Sequence, residues 1–92
     1  FIVTPGGIGT LDEFFEILTL KQLGRHNKAI AIYNINGFFD ELENMMTKSI
    51  EEEFITKDCT ELYKVFTDAD EMLEYINNYD QKDIDLSKVK IR

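Results

Sequence analysis

The first ten residues restrict this chain more than any other stretch. Phe1-Ile2-Val3-Thr4 is β-branched and aromatic, the composition of a short buried strand, and Pro5-Gly6-Gly7 breaks it at once. From Thr10 to Leu23 the apolar residues Leu11, Phe14, Phe15 and Leu18 recur at helical spacing, with Ile17 and Leu20 widening the stripe beyond one face. A strand that passes through a tight glycine turn directly into a helix covered on more than one side is a unit of layered α/β architecture. The helix is expected to stop near Gly24, with Arg25, His26 and Lys28 complementing the negative end of its dipole.

The pattern then repeats. Ala29 to Tyr33 reads as a second buried strand, and Asn34-Ile35-Asn36-Gly37 as a turn into a helix whose apolar face carries Phe39, Leu42, Met46 and Ile50. Glu51-Glu52-Glu53 is a solvated helix end, since three adjacent helical residues point in different directions. A polar turn over Lys57 to Glu61 leads to a third strand within Leu62 to Thr67. Asp68 caps a last helix from Ala69 to about Asn78, with Glu71 as its capping-box partner and Met72, Leu73 and Ile76 facing inward. Strands alternating with helices predict a parallel sheet flanked by helices. Residues 1–79 form this unit and residues 80–92 a polar tail with weak alternation at Ile84, Leu86, Val89 and Ile91.

Ninety-two residues would bury only about two thirds of their unfolded surface, so a partner surface is expected. Because Phe1 already lies inside a strand, the sheet is expected to be incomplete, with this chain its second half and the first half its partner. The net charge of −8 disfavours nucleic acid, which needs a basic patch that the sequence lacks. Cys59 stands alone, which fits a reducing, cytoplasmic setting and leaves no cysteine-based metal site. The apolar runs are too short for a membrane span. No metal or organic cofactor is expected.

The chemistry concentrates in Pro5-Gly6-Gly7-Ile8-Gly9-Thr10-Leu11-Asp12-Glu13. Glycines let the backbone turn and let a ligand reach main-chain N–H groups, and the first helical turn adds unpaired donors and partial positive charge. Together these suit a phosphate. The string has neither the Walker lysine nor the dinucleotide spacing. Thr10 and Glu13 also fit a capping box, which is the structural alternative for Glu13, and glycines can serve close strand–helix packing alone. Asp12, Glu13 and Glu16 crowd the helix start and would repel a phosphate, so cationic help from outside this chain is expected. Lys21 and Lys28 read as surface or helix-end residues.

Pro5-Gly6-Gly7-Ile8-Gly9-Thr10 followed by Glu13 resembles the PGGxGTxxE signature of the LONELY GUY (LOG) family of cytokinin riboside 5'-monophosphate phosphoribohydrolases, long misnamed lysine decarboxylases. The match continues through Gln22-Leu23-Gly24, His26, Lys28, Asn34, Gly37-Phe38-Phe39, Glu52 and Phe54-Ile55. The family often has Trp at Leu20, Pro at Ala29 and Gly at Glu53. The resemblance implies a Rossmann-like fold, a homodimer, and hydrolysis of a nucleoside 5'-monophosphate to free base and ribose 5-phosphate. It implies Glu13 as the catalytic carboxylate, Gly6, Gly7, Ile8, Gly9 and Thr10 around the 5'-phosphate, and Asp12 and Thr19 near sugar or base. The family's Met-x-x-Arg-Lys arginine has no counterpart here, as Arg25 and Arg92 are in the wrong places, so the chain alone is expected to be inactive. A related module that binds a nucleotide without cleaving it is the alternative.

Overall fold

The computed structural model describes residues 1–79; the tail reading of residues 80–92 lies outside them. Three short strands, β1 (Ile2–Val3), β2 (Ala31–Tyr33) and β3 (Lys64–Phe66), pair in parallel in the order β1-β2-β3. The register sets Ile2 beside Ala31 and Val3 beside Ile32, then Ala31 beside Lys64 and Tyr33 beside Phe66. Helix α1 (Ile8–Gln22) follows β1 and α2 (Asp40–Glu51) follows β2. A 3₁₀ turn (Lys57–Leu62) enters β3, and α3 (Ala69–Asn77) ends the described chain. This is the α/β class expected from the sequence, a partial Rossmann-like arrangement.

The central strand shows why both faces are covered. Ile30 and Ile32 point into one core with Val3, Phe14, Ile17, Leu18, Phe39, Met46 and Leu62, so α1 and α2 pack on that face. Ala31 points the other way, into a smaller core with Phe66 and Met72 of α3. Ile30, Ala31 and Ile32 are all fully buried, the continuous apolar run that a parallel strand with helices on both faces requires.

The connections obey local chemistry. Gly24 takes φ 74°, and the Gly24 N–H donates to Lys21 O (3.1 Å) and the Arg25 N–H to Leu20 O (2.9 Å), which is the Schellman closure expected of a glycine there. After β2, Asn36 (φ 54°) and Gly37 (φ 70°) both enter the left-handed region. Asn34 braces that turn: its Oδ1 accepts from the Phe39 N–H and its Nδ2 donates to Asp40 Oδ1, each at 2.8 Å. Glu53 sits at φ 65°, a backbone that glycine adopts more cheaply and the position where the LOG signature often carries one. Asp68 caps α3 by accepting from the Asp70 N–H at 2.9 Å.

Candidate functional site

The glycine loop leaves the carboxyl end of β1 and becomes α1 two residues earlier than expected. Gly7 is the N-cap, in an extended conformation with no side-chain cap, and Ile8 is the first helical residue. The N–H groups of Thr10 and Leu11 both donate to Gly7 O, at 3.1 and 3.3 Å. The N–H groups of Ile8 and Gly9 have no upstream carbonyl within the helix, so the open end of α1 presents donors. Thr10 is therefore inside the first turn, not at the cap, and the Thr10–Glu13 capping box expected as the alternative does not form. The acids are displaced with it: Asp12, Glu13 and Glu16 fall after the first turn, which holds no acidic residue.

The glycines divide into two kinds. A Cβ on Gly6 would collide with Thr10 Oγ1 and lie 3.1 Å from Thr10 Cβ, so Gly6 is needed for the threonine to pack under the loop. A Cβ on Gly7 or Gly9 would meet nothing within 4 Å. Those two leave open space beside the helix end, the room an approaching anion needs.

Thr10 and Glu13, one turn apart, line a cleft with Phe1, Ile2, Val3, Thr4, Phe14 and Ile17. It lies against β1, the terminal strand of the sheet order, whose outer edge is unpaired among the described residues. Its volume is about 110 Å³, below the roughly 300 Å³ at which small-molecule pockets begin. The cleft formed by the described residues is thus too small to enclose a small molecule by itself. Asp12 and Thr19 are placed elsewhere, on the outer face of α1, where they line a shallow depression with Phe15, Glu16 and Leu20. The Thr19 hydroxyl donates to Phe15 O at 2.7 Å.

Three polar residues behave differently from a surface reading. His26 is structural, as expected: its Nδ1 accepts from the Lys28 N–H at 3.2 Å, which leaves Nε2 to donate to Ile17 O at 2.9 Å. Cys59 is buried and accepts from Gln22 Nε2 at 3.1 Å, and burial pushes its thiol pKa up. Lys21 overturns the expectation of a surface lysine. It is 1% exposed, and its Nζ donates to Lys28 O (2.8 Å), Leu62 O (2.9 Å) and the Tyr79 hydroxyl (2.8 Å). The signal was available, because Lys21 shares the buried stripe of Phe14, Ile17 and Leu18 at helical spacing.

Desolvation lowers the Lys21 pKa to about 8 from 10.5. The folded state therefore holds this proton less tightly than the unfolded chain does. Between those two values the unfolded state binds more protons, so the Lys21 contribution to stability rises with pH. Chemical denaturation of the wild type and of Lys21→Met is expected to show the wild type gaining on the variant across that interval. A constant difference would show that Lys21 titrates normally.

The glycine loop and its neighbours can be set beside known proteins. A family model described as "Possible lysine decarboxylase" matches residues 1–76. The chain is 35% identical over 79 residues to the cytokinin riboside 5'-monophosphate phosphoribohydrolase LOG3 of Arabidopsis thaliana, covering 86% of this chain and 37% of that protein. It is 37% identical over 79 residues to the probable cytokinin riboside 5'-monophosphate phosphoribohydrolase LOGL1 of Oryza sativa subsp. japonica, covering 86% and 35%. The chain belongs to the LOG family. It spans about a third of the length of the curated relatives it matches. Within this LOG-family segment lie the glycine loop and Glu13; the named relatives are phosphoribohydrolases, whatever the family description says.

Proposed function

We propose that the full-length protein hydrolyses the N-glycosidic bond of a nucleoside 5'-monophosphate, cytokinin riboside 5'-monophosphate or AMP, to free base and ribose 5-phosphate. The observation that carries this is the pairing of an open, glycine-lined helix end with the Glu13 carboxylate on one cleft wall. The N–H groups of the loop hold the 5'-phosphate. The C1'–N bond then breaks, the base leaving with the bonding pair, and positive charge develops on the ribose. A carboxylate facing the sugar stabilises that charge and orients the water whose oxygen bonds to C1', while the proton that water loses ends on the departed base. The names of the relatives support the same reaction.

This segment alone is proposed to be inactive, since its cleft is too small to enclose a small molecule by itself and the arginine that the family signature carries has no counterpart in it. The test is release of free adenine from AMP and of the prenylated base from its N6-isopentenyl analogue by the full-length protein. Release from either substrate is expected, and the relative rates rank the bases. Nucleotide binding without release from either would leave a binding module in place of a hydrolase.

A further inference from the structure

The glycine-loop end of α1 carries no side-chain cap. Among the described residues, the polar ties from α1 to the rest of the chain lie between its middle and its other end. They are the Ile17 carbonyl with His26, Gln22 with Cys59, and Lys21 with three acceptors. The three belong to separate parts of the fold: Lys28 O in the segment before β2, Leu62 O where the 3₁₀ turn enters β3, and the Tyr79 hydroxyl just past α3. The ammonium also lies 4.9 Å from the centre of the Tyr79 ring. Among the described residues no carboxylate pairs with it, so its three protons go to these three oxygens. Methionine would fill the same volume but leave buried acceptors without a donor, Leu62 O foremost, each a destabilising loss.

We propose that Lys21 is a positioning residue for the glycine-loop site. By fastening the tail of α1 to three other elements, it fixes where the head of the helix, and Glu13 with it, meets the substrate. The inference rests on the hydrolase reading for its kinetic consequence only. The distance is about 20 Å along a rigid helix, and a displacement of about 1 Å at a reacting centre costs up to ~10²-fold in rate. Residues 14, 17 and 18 pack the middle of α1 against the sheet, and the three directed hydrogen bonds of Lys21 add a fixed position for its tail.

The experiment compares Lys21→Met, Lys21→Arg and Tyr79→Phe in the full-length protein, by adenine release from AMP and by amide hydrogen exchange. In Lys21→Met, kcat/KM is expected to fall by about tenfold or more, and the Ile8 to Glu13 amides to exchange faster. Tyr79→Phe, which removes one acceptor, gives a smaller loss in the same direction. Lys21→Arg, which keeps charge and donors, restores part of the activity, as a purely volume-filling role would not. A folded Lys21→Met with wild-type kcat/KM and unchanged exchange at the loop overturns the proposal. If Lys21→Met does not fold, unchanged loop exchange in Tyr79→Phe overturns it instead. If the wild type releases no base, the hydrolase reading fails, and loop exchange alone decides whether Lys21 positions the helix.

Discussion

Replacing Glu13 with alanine in the full-length protein is expected to lower kcat for base release by about 10²–10³-fold while nucleotide binding and folding persist. The structure makes this separation possible. Had Glu13 been the third residue of a capping box, its loss would have cost a helix cap, and any fall in activity could have been blamed on the fold. Ile8, Gly9 and Thr10 are instead the first three helical residues, and Glu13 is exposed in the second turn. Alanine there is a better helix former than glutamate, so the helix loses nothing. What disappears is the one carboxylate that the described residues place on the cleft wall beside Thr10. Turnover at the wild-type rate would remove Glu13 from the chemistry. Equal loss of binding and turnover would make it a binding residue.

The second large effect separates glycines that look equivalent in the sequence. Gly6→Ala is expected to destabilise the protein by roughly 1–3 kcal/mol, as overpacking does, and to abolish activity. Rotating Thr10 about χ1 would move its Oγ1 away from the new methyl but leave its Cβ 3.1 Å off, so the loop itself must shift. Gly9→Ala is expected to keep the melting temperature or raise it slightly, because alanine is up to about 1 kcal/mol better than glycine in a helix and its Cβ meets nothing. Its methyl nevertheless enters the space beside the free N–H groups, so affinity for phosphate and nucleotide should fall. Thermal melting and equilibrium binding on both variants read this out. Wild-type binding by Gly9→Ala would mean that the open space is not where the ligand sits.

Much of the fold was legible because period and punctuation agreed. The continuous apolar run at Ile30, Ala31 and Ile32, the glycine stop at Gly24 and the Asp68 cap each had one physical solution, and the structure adopts it. The start of α1 was misplaced because Thr10 is a good N-cap by type, whereas the actual cap is a glycine carbonyl serving two N–H groups. At Lys21 the position on the buried stripe prevails over the charge, which its three oxygen partners satisfy. In the candidate site, Gly6 to Thr10 and Glu13 could be named from the motif and lie together at one end of α1. Asp12 and Thr19 turn to the outer face because they share one face of the helix with Phe15 and Glu16, away from the buried stripe of Phe14, Ile17, Leu18 and Lys21.

The sheet also says something about how such a chain reaches its native state. Ile2 pairs with Ala31, and Ala31 with Lys64, so every strand pairing joins residues roughly thirty positions apart, across an intervening helix. Among the described residues no hairpin nucleates the sheet, and each of these ladders forms only after a long loop has closed, which makes assembly slow relative to helix formation. During that interval β2, the strand in the middle, waits with both edges bare. Variants that loosen α1 or α2 should therefore first show themselves as lower soluble yield on expression, before any change in the melting temperature of the protein that does fold.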